Sequence, residues 1–316
     1  MRVKLAIKIG LTALLLWLAF RAVDLGVLLR LLWSFDPLWL GGALLLTLLI
    51  VVTDGLLFAS VLRKFDRRLP PATAILYSLV GWFFSNVGPS TLGGDLFRGV
   101  QLSRVGIPAG TAFRAVLAMR LVSLATLILV MLAGFPIAVR LIADPQDVVL
   151  FAGTVAAATA ALVMVYFSAD LKWRIPLIAR WGLLEKLETV SNDFRGLLSP
   201  DREALTMWIL ASVQHLLRVA ILAALAVGLG LGISFETLFA LTPAALLIAM
   251  VPISFGGWGV REVTFVYLLG TAGVGATAAL SLSIAFGLLR IIVGAIGGLA
   301  WVVMNETHFR VAAPPA

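Results

Sequence analysis

The chain has 316 residues, of which 61% are hydrophobic and only 13% are charged, and its mean hydropathy is +1.08. Soluble chains carry about a quarter charged residues, so this composition excludes a soluble globular protein. It predicts one integral membrane domain over 1–304 and a short tail at 305–316. The net charge of +8 falls in short loops between apolar runs, which excludes a nucleic-acid-binding surface, and the absence of cysteine excludes disulfides and Cys-ligated metals.

Apolar runs of about 20 residues, the length that crosses a bilayer, recur along the chain. We expect full transmembrane helices at about 5–22, 38–62, 110–135, 147–168, 204–227 and 277–303. The segment 136–146 is predicted to be a loop. The amphipathic spacing of 181–198 predicts a helix that lies along the membrane surface.

The distribution of lysine and arginine predicts the orientation of the chain. The loop 63–70 and the polar stretch 169–203 are rich in basic residues, as cytoplasmic loops are. We therefore expect both termini in the cytoplasm, and a bacterial-type cytoplasmic (inner) membrane as the location.

Two further apolar segments, 72–105 and 237–272, are each interrupted by a proline–glycine stretch. Because the flanking loops fix the sidedness, each segment is predicted to begin and end on the same side, as a re-entrant helical hairpin. Three spans separate the hairpins, so the hairpins enter from opposite faces, as in the inverted repeats of transporters. The expected fold is an all-α polytopic membrane protein with about six full transmembrane helices plus two re-entrant hairpins. The two halves of the inverted repeat are about 38–135 and 204–303.

The two interruptions share one sequence pattern. The first reads PSTLGGDLFR at 89–98 and the second PISFGGWGVR at 252–261, so each has a proline, three residues, Gly-Gly, three residues and an arginine. Irregular backbone at membrane depth must be buried or must line a polar cavity. We expect the cavity to be lined by Asn86, Pro89, Ser90, Gly93 and Gly94 from the first turn, and by Pro252, Ser254, Gly256 and Gly257 from the second.

Four arginines are predicted to contact a lipid head group. A helix that begins after each Gly-Gly would point its first N–H groups into the cavity and favour an anion. Arg98 and Arg261 follow in the next turns, and a guanidinium binds phosphate in bidentate fashion. Arg120 and Arg290 lie inside predicted spans. Two alternatives stay open: the turns are simple kinks whose arginines reach the interface, and Arg120 and Arg290 are anchors near span ends.

Other intramembrane polar residues are predicted to act as charge partners or coupling groups. They are Asp54, Asp95, Glu262, His215 and Arg218. Asp54 either pairs with Arg120 or Arg290 or carries a proton. Asp95 and Arg98 are three residues apart, so they form either an ordinary helix salt bridge or a gating pair.

Two sets of residues have simpler structural interpretations. His215 and Gln214 lie in an otherwise apolar run and are expected to hydrogen-bond between helices. Gly294, Gly297 and Gly298 in the last span are expected to allow close helix packing. No catalytic residue, metal site or cofactor is expected.

These motifs resemble the transmembrane, flippase-like domain of the lysylphosphatidylglycerol synthetase family. The likeness is carried by NVGPSTLGGDLFR at 86–98 and PISFGGWGVRE at 252–262, and it covers nearly the whole chain. Where the family often has a Glu-Arg pair, this chain has Met119-Arg120. The resemblance implies lipid handling or translocation, since relatives are associated with phospholipids, hopanoids and polyprenyl-linked sugars. Full-length synthetases add a cytosolic aminoacyl-transfer domain, for which 316 residues leave no room, so aminoacyl transfer is not expected.

The expected function is that of a lipid flippase or transporter. It would translocate an anionic phospholipid or a lipid-linked head group between leaflets, with membrane lipids rather than nucleic acid as partners. The chain has no GxxxxGK[ST] phosphate-binding loop, so no nucleotide-driven step is expected. One alternative is an accessory subunit that presents lipid to a glycosyltransferase or an aminoacyltransferase. Another is a membrane-embedded lipid-modifying enzyme.

Overall fold

The computed structural model describes residues 33–88, 92–170, 182–251, 254 and 256–311, with isolated positions between 10 and 30. This part of the chain is helical. Its helices are α1 Pro37–Lys64, α2 Pro71–Val87, α3 Gly93–Arg104, α4 Ala109–Leu141, α5 Pro145–Phe167, α6 Gly182–Leu197, α7 Arg202–Gly228, α8 Phe235–Ala249, α9 Val260–Gly270 and α10 Ala276–Val311. The first predicted span, at 5–22, falls almost wholly outside the described residues.

Within the described ranges, five helices are long and apolar enough to cross a membrane: α1, α4, α5, α7 and α10. They correspond to the second through sixth predicted spans and confirm a polytopic α-helical membrane protein. Between the first and last of them lie the shorter helices α2, α3, α6, α8 and α9. The helix predicted at 181–198 is α6, which runs from Gly182 to Leu197, and its position along the membrane surface stays a prediction.

Two boundaries differ from the prediction. The loop expected at 136–146 shrinks to 142–144, because α4 continues through Pro136 to Leu141. A proline removes one N–H donor, but at membrane depth a helix that continues pairs more backbone groups than a loop does. The last helix extends beyond the predicted end at 303 to Val311, so most of the expected tail is helical.

One end of the bundle, here called the basic end, gathers the loops 65–70 and 105–108 and the described segments 168–170 and 182–201. Ion pairs tie these parts together: Arg63–Glu203 at 2.7 Å, Lys64–Asp201, Arg114–Asp193 and Arg195–Asp170. The hydrogen bond from the Lys64 ammonium holds the pKa of Asp201 well below its usual range. These contacts bring the start of α7 beside the end of α1.

The opposite end gathers the loops 142–144, 229–234 and 271–275. The Asp36 N–H donates to the Gly228 carbonyl at 3.0 Å, which places the start of α1 beside the end of α7. The Ala143 N–H donates to the Thr271 carbonyl at 3.1 Å, which places the end of α9 beside the α4–α5 turn.

The short helices form two hairpins that start from different ends of the bundle. The α2–α3 hairpin has both of its ends at the basic end, and the α8–α9 hairpin has both at the opposite end. Their turns meet inside: a Cβ at Gly256 would lie 3.3 Å from the Asn86 carbonyl oxygen. This geometry agrees with two re-entrant hairpins from opposite faces, whose depth in a bilayer stays a prediction.

The helix packing repeats when the two halves of the chain are exchanged. The helices α1 and α7, which open the halves, pack on each other, α2 packs on α10, and α8 packs on α4. Two repeats related by a two-fold axis would produce this pattern. The glycines of α10 make one of these contacts close, because Gly294 lies against Asn86, Gly297 against Leu79 and Gly298 against Phe83.

Candidate functional site: an arginine-lined cavity

A polar layer separates two apolar clusters in the core. On α1, Ile50 belongs to one cluster and Leu57 to the other, and Asp54 lies between them. On α7, Ala211 and Val219 likewise belong to different clusters, and the segment between them carries polar side chains. Such a layer in an apolar bundle is costly unless its groups are paired or solvated, which makes it the candidate functional site.

A cavity of about 230 Å³ lies in this layer, between the two hairpins. Its charged lining residues are Asp54, Asp95, Arg98, Arg120, Arg218, Arg261 and Arg290. The five arginines come from five different helices: α3, α4, α7, α9 and α10. The structure therefore brings together all four arginines predicted to meet a head group, and adds Arg218.

The two terminal nitrogens of Arg98, in the first hairpin, contact other side chains, whereas its buried Nε has no hydrogen-bond partner among the described residues. Its guanidinium pairs with Asp54 of α1, lies 3.5 Å from Asp95 one turn earlier, and donates to the Ser78 hydroxyl at 3.2 Å. It also stacks over the Phe58 ring at 5.6 Å. Asp54 thus has an arginine partner, as one interpretation expected, but that partner is Arg98 rather than Arg120 or Arg290.

Asp95 connects two arginines. It forms the i,i+3 pair with Arg98 and also accepts from Arg120 on α4, so it is more than a local helix salt bridge. The Met119 sulfur lies 3.9 Å from Arg98. Met119, which stands where the resemblance led us to expect an acid, is therefore at the network, where it offers only a weak acceptor.

Arg261 of the second hairpin is held by the carboxylate beside it. Glu262 is fully buried, accepts from Arg261, and accepts the Gly259 N–H at 2.6 Å at the start of α9. Arg261 also donates to the Ser283 hydroxyl at 3.2 Å and stacks over the Trp258 ring at 4.6 Å. Glu262, predicted as a charge partner, therefore forms a buried ion pair with Arg261 and also caps a helix.

Arg218 contacts only neutral acceptors among the described residues. Its guanidinium lies 3.4 Å from the Gln214 amide oxygen and 3.4 Å from His215 Nδ1. His215 Nε2 donates to the Ser123 carbonyl of α4 at 2.8 Å, which agrees with the expected interhelical role. These two contacts fit a neutral imidazole with its proton on Nε2.

Arg290 lines the cavity from α10. Its backbone carbonyl accepts from the Asn86 amide at 2.7 Å, which ties α10 to the first turn. Its guanidinium makes no hydrogen bond or ion pair with any described residue. Among the described residues, Arg290 is therefore the cavity arginine whose charge is least compensated by contacts within the protein.

The glycine pairs have different local roles. α3 begins at Gly93 itself. Gly93 and Gly94 lie directly against the Phe84 and Gly81 carbonyls of α2, where a side chain does not fit. In the second turn, Gly256 and Gly257 have φ of 58° and 82°, which glycine adopts readily, and α9 begins only at Val260. Glu262 accepts the Gly259 N–H just before α9 begins, and the expectation that the helix starts favour an anion stays a prediction.

Other predicted lining residues vary in position. Pro89, Ser90 and Pro252 lie outside the described residues. Ser254 is buried, and its hydroxyl has no hydrogen-bond partner in the described part of the chain. Sequence reasoning missed the serines and aromatic rings that hold Arg98 and Arg261, because isolated Ser, Phe and Trp in apolar runs carry no signal of their contacts.

No group of three or more His, Cys, Asp or Glu able to hold a metal occurs among the described residues. A comparison with curated proteins finds no match. The family model described as the lysylphosphatidylglycerol synthase TM region matches residues 5–298, nearly the whole chain. The chain therefore belongs to the lysylphosphatidylglycerol synthase TM region family.

Proposed function

We propose that this protein translocates an anionic phospholipid or a lipid-linked head group between the leaflets of a cytoplasmic membrane. The observation that carries the proposal is the single cavity lined by five arginines from five helices, between hairpins that start at opposite ends of the bundle. The family model supports it, because its description names a synthase of lysylphosphatidylglycerol, which is a phospholipid.

The energetic argument concerns intramembrane charge. A charged side chain in the middle of a bilayer costs about 2.5–3.5 kcal/mol on insertion scales. Carboxylates offset this cost for Arg98, Arg120 and Arg261. Arg218 and Arg290 have no such partner among the described residues, so a structural role alone does not account for them. A head group that passes through the cavity would supply the missing negative charge.

Translocation is tested in proteoliposomes that contain phosphatidylglycerol with a fluorophore on one acyl chain. A membrane-impermeant reductant bleaches only the outer-leaflet label, so continued bleaching measures movement between leaflets. We expect Arg290→Gln to slow this movement about tenfold or more, since one charge-assisted contact is worth at least about 1.4 kcal/mol. Arg140→Gln, an exposed position at the opposite end, removes the same charge outside the cavity and should leave the rate unchanged.

Two outcomes would count against translocation. Equal rates in wild type, Arg290→Gln and protein-free vesicles would refute it. If lipid still co-purified with the protein in that case, the accessory role of presenting lipid to a neighbouring enzyme would be favoured.

The proposed orientation and the re-entrant hairpins have their own test, since the chain contains no cysteine. Single-cysteine variants at Arg67 and Val105, both exposed at the basic end, flank the first hairpin. In intact cells we expect neither to react with a membrane-impermeant maleimide until the membrane is permeabilised. Ala143→Cys and Gly275→Cys, exposed at the opposite end, should react at once. Opposite labelling of positions 67 and 105 would show that α2–α3 crosses the membrane instead.

A further inference from the structure

The cavity charges are divided unequally between the halves of the chain. In the first half, Arg98 and Arg120 are matched by Asp54 and Asp95, which contact them directly. That part of the cavity is therefore neutral.

In the second half, three arginines share one carboxylate. Arg261 is paired with Glu262, whereas Arg218 and Arg290 have no carboxylate within ion-pair distance among the described residues. Arg290 is repelled by both Arg261 and Arg218 and attracted more weakly by Glu262, and Arg218 is attracted by Asp54. Two positive charges are in excess, and both belong to α7 and α10.

An independent observation indicates a ligand with acceptor oxygens. The Gln214 side-chain nitrogen is buried, and it has no hydrogen-bond partner among the described residues. Gln214 lines the cavity one turn from Arg218, whose guanidinium holds the amide oxygen and so leaves the nitrogen as the donor. A buried donor without a partner is costly, and an oxyanion in the cavity would satisfy it.

We propose that the cavity selects a lipid whose head group carries two negative charges, a phosphomonoester or a diphosphate, bound between Arg218 and Arg290. This inference rests on the proposed function and names its substrate class. A phosphodiester such as phosphatidylglycerol carries one charge and would leave one arginine unmatched, whereas a phosphomonoester carries about −1.5 to −2 at pH 7. The volume of about 230 Å³ is below the roughly 300–1,000 Å³ of drug-sized sites, which favours a bare phosphate group over a large glycan.

The test compares two short-chain lipids that share their acyl chains and differ in the head group, which is a phosphomonoester in one and a glycerol phosphodiester in the other. Binding of dioctanoyl phosphatidate and dioctanoyl phosphatidylglycerol to the purified protein is measured by native mass spectrometry and by thermal shift. At about pH 7.5 we expect phosphatidate to bind about tenfold more tightly than phosphatidylglycerol, because it makes one more charge-assisted contact. At about pH 5.5 the preference should shrink, because the second ionisation of a phosphomonoester has a pKa of about 6.

Variants assign this preference to the two arginines. Arg218→Gln and Arg290→Gln should each reduce the phosphatidate preference to about threefold or less, and Arg140→Gln should leave it intact. Each change removes one of the two excess positive charges and breaks no ion pair of the described residues, so folding should hold. Arg290→Lys, which keeps the charge but loses the planar fork, should retain the pH dependence with weaker binding.

Each contrary result has one meaning. Equal affinity for the two lipids, or a preference that survives both glutamine variants, overturns the inference. Binding of inorganic phosphate as tight as that of phosphatidate assigns the site to soluble phosphate and overturns a lipid head group. Phosphatidate preference without movement of either fluorophore-labelled phosphatidate or labelled phosphatidylglycerol in proteoliposomes overturns the proposed translocation and leaves the dianion site in place.

Discussion

Replacement of Glu262 by Gln is expected to lower the free energy of unfolding by about 3–5 kcal/mol. The carboxylate is fully buried beside Arg261, which is itself only 3% exposed. Glutamine has nearly the same shape and keeps an oxygen for the Gly259 N–H, so the change isolates the loss of negative charge. The buried guanidinium is then left without compensation. Titration of the purified protein with SDS in mixed micelles measures the effect.

Two further variants give this prediction its controls. Glu203→Gln breaks the ion pair with Arg63. The Arg63 and Glu203 side chains are 37% and 41% exposed, so the change should lower the free energy of unfolding by only about 0–1 kcal/mol. Adding Arg261→Met to Glu262→Gln removes both buried charges and should recover most of the loss. A loss below about 1 kcal/mol for Glu262→Gln alone would show that the cavity solvates Arg261 without its carboxylate.

The long helices were predictable because their signals are local. Each of the helices α1, α4, α5, α7 and α10 is an apolar run long enough to cross a bilayer. Some helix starts also carry a local capping signal, such as Asp144-Pro145. There the Asp144 side chain accepts the Gln146 N–H at 2.8 Å. The prediction of a loop at 136–146 was wrong because it relied on the local signal of Pro136 alone. Its local signal favours a break, whereas the need to pair backbone groups at membrane depth keeps α4 helical to Leu141.

The site was only partly predictable, because charge pairing depends on tertiary contacts. The repeated motif indicated Arg98 and Arg261, and both lie at the cavity. Nothing in the spacing shows that Asp54, 44 residues before Arg98, neutralises it. The structure thereby shifts the proposed anion contacts from the motif arginines to Arg218 and Arg290, which stand outside the repeated pattern.

The second large effect is expected at Gly94, where the two helices of the first hairpin touch. A Cβ at this position would lie 2.9 Å from the Gly81 carbonyl carbon and 2.5 Å from the Ser85 hydroxyl. Ser85 can rotate away, but the Gly81 carbonyl belongs to the backbone of α2 and cannot move without the helix. Gly94→Ala should therefore cost about 1–3 kcal/mol of unfolding free energy, or more, through overpacking.

Gly99, five residues later on α3, provides the matched control, because a Cβ there meets no atom within 4 Å. Gly99→Ala should be neutral or stabilise the protein by up to about 1 kcal/mol, since alanine favours the helix over glycine. The same chemical change on one helix is thus expected to have opposite signs at the two positions. Gly94→Ala should also slow lipid movement, because α3 carries Arg98 and Asp95 into the cavity and must shift to admit the methyl group. Equal stability and transport in the two variants would mean that α2 and α3 do not pack this closely, and would contradict the α2–α3 hairpin as described.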